Sequence, residues 1–591
     1  MESLVLSAPK QLLSHPMQSH ATTALIRLIG APPKATSRSS RAFDILPELG
    51  PRRLISYARR RRRAALALIC LACTLALPNT VSSETQRDRK ETPTIRMFDI
   101  GRGPHTYSFQ LGREAQTRYQ GEASAQQAIQ AGGIQPRSMV SDDFNADGMG
   151  DLVIGYASSG GGVLSFRQGN VQAIAPTGDV FQGITQGRYP SPFLPEARLY
   201  SLPEAPDFLQ VGDFNADGYQ DVLAAARGGA TLYLLPGDGR GNLGAVQKFQ
   251  LPGSLTALRA NDSRQPGVFT SLAVGLRTGE GAKALVYNKA GGGLAGTPES
   301  YSMPGAVTAF AFGRLDDDSA TDLAAATTNQ VIVIHGRSDQ PADAGKNAPV
   351  IETQNLPFAI RGLAIGDFVF DRNHEREIAA LSDDGTIYLS ARGNPDTRPY
   401  TDAEKNTLRN LKRSYQRNNI DMETFRAESD KLVRPNLAGG WRVSQTIKSG
   451  VTPAANGSSQ ALFQRLDAST LPTDDLLVGN GRNNHLQMVR NEQDAAKLKI
   501  KATTKSVDLD RVSTDSMPLA AVSMRLGIDS RPGMVVLQAD KIQPEVVILT
   551  PDAVFTVNSN ADLADDVPTA ANAVCHTTAN TCTLRAAIMQ S

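Results

Sequence analysis

The chain has 591 residues, 40% of them hydrophobic and 20% charged, with 51 glycines and 34 prolines. That size and balance suit a soluble globular protein of several domains or one large repeat array. The net charge of +2 hides an asymmetry, because residues 1–83 carry 12 basic and 3 acidic side chains while the remainder carries 49 and 56. A mildly acidic body argues against nucleic acid as a partner, since phosphate binding needs a basic surface.

Arg59 to Arg63 form a basic run, Ala64 to Leu77 an apolar stretch, and Val81-Ser82-Ser83 a small-residue site. This order predicts a secretory signal peptide within a leader spanning 1–83, and a mature start near Glu84. The apolar run is shorter than the roughly 20 residues a membrane helix needs, so no stable span is expected in the mature protein. Residues 1–50 lack periodicity and read as disordered, or as sequence upstream of the true start. Residues 84–138 read as a linker and N-terminal strand region.

The next stretch is Asp143-Phe144-Asn145-Ala146-Asp147-Gly148-Met149-Gly150-Asp151. It returns as Asp213-Phe214-Asn215-Ala216-Asp217-Gly218-Tyr219-Gln220-Asp221. Oxygen-bearing side chains occupy positions 1, 3, 5 and 9, and a glycine at position 6 permits a sharp turn. Hard cations such as Ca²⁺ take six to eight oxygens from carboxylates, amides and carbonyls. The first loop offers Asp143, Asn145, Asp147, Asp151 and the Met149 carbonyl. The second offers Asp213, Asn215, Asp217, Asp221 and the Tyr219 carbonyl. Asp, Asn and Gly also gather in metal-free turns, but such a turn needs only one or two of them.

The same order, an apolar strand, a loop and an apolar strand, recurs around Leu255, Ala309, Leu363, Ala461 and Ala520. Asp316, Asp318 and Asp322 keep positions 3, 5 and 9 of the fourth unit, with Arg314 at position 1 and Ser319 at position 6. The fifth keeps Asp367 and Asp371, with Glu377 two residues late. The loops of the third, sixth and seventh units have lost most of their carboxylates. Seven units of about 50 residues, each the length of a four-stranded blade, predict an all-β, seven-bladed β-propeller over 139–550. A single blade cannot bury both faces, so the units must stack.

These loops and strands resemble the FG-GAP or VCBS repeats of integrin-α-like propellers. In that family the acidic loop joins the first two strands of a blade and binds Ca²⁺. Carried over by position, the resemblance implies Ca²⁺ at the two complete ligand sets, and more weakly at Asp316, Asp318, Asp322, Asp367, Asp371 and Glu377.

Residues 401–436 interrupt the array. Thr401 with Glu404 makes a capping box, and Leu408, Leu411 and Tyr415 share a helical face. Met422, Phe425 and Leu432 suggest a second helix, so a helical insertion is expected between units five and six. It reads as a solvated insertion packed on the ring, or as a docking element.

Residues 551–591 run from Phe555-Thr-Val-Asn558 to Cys582-Thr-Leu-Arg-Ala-Ala-Ile588 and resemble a CSLREA-type segment, which in relatives precedes a parallel β-helix. The array it would introduce does not follow, which implies a truncated frame, a fragment, or a short closed tail. Cys575 and Cys582 form either a small disulfide loop or two free thiols.

The histidines (His15, His20, His105, His335, His374, His485 and His576) form no HExxH, and none adjoins a nucleophile elbow. His374, inside an acidic loop, reads as a turn residue. The expectation is a secreted or cell-surface, non-catalytic, Ca²⁺-binding propeller that takes an extracellular protein or glycan in an adhesion-like role. The alternative is a carbohydrate-active enzyme such as a polysaccharide lyase on the same scaffold.

Overall fold

The structure, a computed structural model, describes residues 98–100, 107–111 and, with internal breaks, 117–551, together with Ser559, Leu563, 577–579 and Thr583. The expected signal peptide, Asp318, Cys575 and Cys582 lie outside the described residues.

Seven sheets follow one another along the chain. Blade 1 comprises Gln135–Asp142, Asp151–Ser158, Gly161–Gly169 and Phe193–Leu202. Blade 2 comprises Phe208–Gly212, Asp221–Ala225, Thr231–Leu235 and Gln247–Gln250. Blade 3 comprises Ser254–Ala260, Leu272–Thr278, Gly281–Tyr287 and Glu299–Met303. Blade 4 comprises Ala309–Gly313, Asp322–Ala326, Gln330–Ile334 and Ile351–Asn355. Blade 5 comprises Ile360–Gly366, Glu377–Ser382, Thr386–Arg392 and Trp441–Lys448. Blade 6 comprises Phe463–Leu466, Asp475–Asn480, His485–Val489 and Arg511–Ser513. Blade 7 comprises Pro518–Met524, Gly533–Gln538 and Glu545–Pro551. Each is an antiparallel meander, so the loop between strands one and two and the connection between strands three and four emerge at the same end.

The second strands are apolar throughout rather than alternating. In Asp151–Ser158, Leu152, Val153, Ile154 and Tyr156 are all buried. A strand reads this way when neighbours cover both of its faces. Those neighbours are the adjoining blades. Seven apolar clusters each join one consecutive pair: blades 1 and 2 through Phe166 and Val222, 2 and 3 through Leu234 and Leu272, and so on round to 7 and 1 through Val535 and Ile154. The hydrophobic core is therefore distributed between sheets, and the seven-bladed propeller is a closed ring.

The ring draws on residues before 139 to close. Tyr107–Leu111 pairs antiparallel with Glu545–Pro551 (Phe109 opposite Leu549), and Phe98–Ile100 adds outside it. Two distant parts of the chain thus share blade 7, which covers its outer edge. Blade 1 gains a parallel fifth strand, Arg118–Gly121, beside Phe193–Leu202. The helix Ala123–Gln130 follows, burying Ala125 and Ile129.

The helical insertion forms as the capping box predicts, but inside blade 5 rather than between units five and six: helices Asp402–Gln416 and Met422–Asp430 lie between strands three and four, because Trp441–Lys448 pairs back onto Thr386–Arg392. Neither helix buries a residue, and Tyr415 and Phe425 meet at 5.6 Å. What holds the pair is Arg372, supplied by the acidic loop of the same blade. Its side chain is only 1% exposed and donates to both Glu404 carboxylate oxygens at 2.9 Å. It also donates to the carbonyls of Arg398, Pro399 and Leu432, and lies over the Tyr400 ring. A planar guanidinium satisfies this fork; an ammonium cannot.

The Arg372 guanidinium holds the Glu404 carboxyl down at about 2. The unfolded value is near 4.5, so this contribution is complete above that pH and is lost as pH falls toward 2. Hydrogen exchange in 402–430 should therefore quicken as pH drops through this window, after correction for intrinsic rates. Arg372→Ala and Arg372→Lys should both quicken it at pH 7 while the blade strands stay protected. Unchanged protection in both variants would remove the clamp.

Candidate metal centres at the acidic loops

One position is shared by five blades. The last residue of strand one pairs with the first residue of strand two, and that first residue is Asp151, Asp221, Asp322, Glu377 or Asp475. All five are buried. In blades 3 and 7 the corresponding residues are Leu272 and Gly533.

These carboxylates first serve the backbone. Asp151 accepts from Phe144 N–H at 3.1 Å and Gly169 N–H at 2.7 Å. Asp221 accepts from Phe214 N–H at 3.0 Å and Gly237 N–H at 2.9 Å. Asp322 accepts from Leu315 N–H at 2.6 Å and Gly336 N–H at 2.8 Å. One side chain thus ties the first loop of a blade to the chain leaving its third strand. The approach is close: a Cβ at Gly237 would meet the Gln220 carbonyl at 2.0 Å, and one at Gly336 the Thr321 carbonyl at 2.4 Å.

In blades 1 and 2 the remaining ligand candidates gather in the same loop with matching geometry. Asp147 N–H is shared between Asp143 and Asn145 oxygens at 3.1 and 3.2 Å, and Gly148 N–H reaches Asp143 at 2.9 Å. In blade 2, Asp217 N–H is shared between Asp213 and Asn215 at 3.1 and 2.9 Å, and Gly218 N–H reaches Asp213 at 2.8 Å. Asp147 and Asp217 accept in turn from the N–H of Met149 and Tyr219. Gly148 and Gly218 adopt the positive φ expected of position 6. Ala146 and Ala216 do so as well, at 57° and 62°, a conformation a Cβ disfavours. The Met149 side chain is buried and that of Tyr219 half exposed.

Burial pushes the Asp151 and Asp221 carboxyls up to about 7, and the charges of Asp147 with Asp143, and of Asp217 with Asp213, push the same way against the backbone N–H donors. A cation in the loop would reverse that balance.

In blade 5, Asp367 and Asp371 act on Glu377 through their charges, although the three carboxylates do not all come within 4.8 Å of one another. Although Glu377 comes two residues late in the sequence, it occupies the same strand position, and its longer side chain accepts from Phe368 and Val369 N–H at 2.8 and 3.0 Å. Its other oxygen and Asp371 Oδ2 are buried without a hydrogen-bond partner. Burial, then the charges of its companions, raises Glu377 well above the carboxylate range; burial and Asp367 lift Asp371 to about 6. The two extra residues of this loop include Arg372 and Asn373, which face the insertion. His374 has positive φ (52°) and lies 3.7 Å from Asp367, in the irregular stretch before strand two.

Blade 4 is different. Asp316 and Asp322 face a buried histidine, His335, and the three form the single acidic or histidine cluster among the described residues with ligand atoms all within 4.8 Å. Sequence reading passed over His335 because it lies beyond the loop. It also passed over Asp475, although the Asp-Leu-Leu-Val-Gly at that strand repeats the start of Asp-Leu-Val-Ile-Gly at Asp151.

Strand register shows what faces each buried carboxylate from strand three. Continued one residue past the last pair of strands two and three, the register sets Gln168 opposite it in blade 1, Pro236 in blade 2, His335 in blade 4, Ala391 in blade 5 and Arg490 in blade 6. Blades 4 and 6 thus supply a basic group, with Arg490 Nε 4.0 Å from Asp475. Blades 1, 2 and 5 supply none at that position.

The fold defines a seven-bladed β-propeller. No family model and no curated protein matches the chain. Similar solved structures include BBS1N in complex with ARL6DN, soaked with lead: 13% identity over 70% of this chain and 92% of that one, TM-score 0.40. The same complex soaked with mercury shows 12% identity over 71% and 93%, TM-score 0.39. Among the described residues no helix is long and apolar enough to cross a membrane.

The backbone role of Asp221 is separable from any ion. Asp221→Ala leaves the Phe214 and Gly237 N–H groups without their acceptor, at about 1–3 kcal/mol each. Urea unfolding in EDTA should show this loss, and a smaller one for Asp221→Asn, which keeps an acceptor. No loss in EDTA would confine Asp221 to ion binding.

Proposed function

We propose that the chain is an FG-GAP/VCBS-type, integrin-α-like propeller, exported from the cell, that binds Ca²⁺ in its acidic loops and acts as a non-catalytic module for an extracellular protein or glycan. The observation that carries the calcium reading is charge balance. In blades 1, 2 and 5 the buried carboxylate is crowded by further carboxylates and faces a neutral residue from strand three. A hard divalent cation neutralises such a set and uses its oxygens. Asp143, Asn145, Asp147 and Asp151 with the Met149 carbonyl would hold one ion. Asp213, Asn215, Asp217 and Asp221 with the Tyr219 carbonyl would hold a second. Asp367, Asp371 and Glu377 would contribute to a third.

The binding role is supported by what shares that end of the ring. The connection between strands three and four of blade 1 exposes Phe181 and Tyr189, and the blade 2 loop exposes Tyr219. Rings with an apolar face and a polar edge suit sugar and protein surfaces.

Asp147→Ala and Asp217→Ala should lower the melting temperature more in Ca²⁺ than in EDTA, where only the acceptors for Met149 and Tyr219 N–H are lost. A bound ion stabilises the fold by about 2.7 kcal/mol at a hundred times its dissociation constant. Equal losses in both conditions would leave the loops as turns. On a glycan and glycoprotein array, the full chain should bind in Ca²⁺, with Phe181→Ala or Tyr189→Ala weakening the signal. Turnover of a bound polysaccharide would instead favour an enzyme.

A further inference from the structure

We propose that blade 4 holds a divalent d-block ion of the zinc class, with Asp316, Asp322 and His335 Nδ1 as ligands and Glu352 orienting the imidazole. This site is chemically distinct from the calcium loops and does not depend on them.

His335 is only 6% exposed. Its Nδ1 lies 3.0 Å from Asp316 Oδ2 and 3.5 Å from Asp322 Oδ1. Two donors each about 2.0–2.1 Å from one ion at tetrahedral angles stand about 3.3 Å apart, which matches these separations. Neither ring nitrogen makes a hydrogen bond, although three carboxylates stand within 3.5 Å. The oxygens therefore surround the nitrogen without lying along an N–H direction. That arrangement leaves the Nδ1 direction open to a shared ion, which would compete with the ring proton that these carboxylates favour.

The opposite face of the ring completes the argument. Nε2 lies 3.4 Å from Glu352 Oε1, and Glu352 is itself held by Arg392 of blade 5 at 2.8 Å. A metal-ligating histidine commonly gives its other N–H to a carboxylate, which fixes the tautomer and strengthens the ligand. The nearby Glu352 charge favours a proton on Nε2, which leaves the Nδ1 lone pair toward Asp316 and Asp322. Two carboxylates then balance the ion's charge.

The donor set also selects the metal. An imidazole nitrogen is a poor ligand for Ca²⁺, which takes oxygen, and a good one for zinc-class ions. Arg314 stands where blades 1 and 2 place Asp143 and Asp213, so the all-oxygen set is not rebuilt here.

The full chain, stripped with EDTA and returned to excess Ca²⁺ to fill the oxygen sites, is titrated with Zn²⁺ by calorimetry, with bound metal counted by mass spectrometry. One Zn²⁺ per chain is expected to depend on His335. His335→Gln should lose it while keeping the calcium-dependent melting shift. Glu352→Gln should bind about tenfold more weakly, and Asp147→Ala should bind Zn²⁺ as the parent does. No uptake by the parent overturns the proposal, as does unchanged uptake by His335→Gln. Should His335→Gln fail to fold, unchanged affinity in Glu352→Gln overturns it.

Discussion

The ring rests on a carboxylate at the head of the second strand. It is buried, and in blades 1, 2 and 4 it ties the backbone of the preceding loop to the exit of the third strand. A hydrophobic side chain there would leave those N–H groups without an acceptor. A carboxylate solves the hydrogen bonding but places an anion where water is scarce. Each of the five blades that carries one therefore has a second problem, which is how that charge is met.

The blades meet it differently. Blade 6 brings Arg490 toward Asp475 from strand three. Blade 4 sets His335 at the same register. Blades 1, 2 and 5 surround the anion with more oxygen and place a neutral residue opposite. Blades 3 and 7 avoid the problem, having Leu272 and Gly533 at that position. One structural device thus meets three surroundings: an arginine in blade 6, a buried histidine in blade 4, and further carboxylates in blades 1, 2 and 5.

Meander topology concentrates the consequences at one end. The acidic loops and the connections between strands three and four emerge together, so loops, exposed aromatics and the helical insertion share that rim. In blade 5 the two converge on neighbouring residues: Asp371 points into the buried carboxylate set while Arg372 clamps the hairpin. The loop's extra length serves this second task. A longer side chain at Glu377 keeps the backbone contacts that the Asp makes elsewhere.

Seven units, their acidic loops and the existence of a helical insertion were legible along the chain. Each is a local pattern: apolar runs, carboxylates at fixed spacing, a capping box. The sequence also holds every carboxylate of the candidate sites. It does not show that Glu377 keeps the strand-head position, because a two-residue insertion changes the spacing while register preserves the place. His335, Glu352 and Arg490 are brought to their carboxylates only by pairing across strands. The share of blade 7 taken by Tyr107–Leu111 depends on a partner more than 400 residues away. Spacing within one loop determines which oxygens can gather; the closing of sheets and ring decides which charge faces them, because that meeting occurs across hydrogen-bonded strands and leaves no periodic trace in the chain.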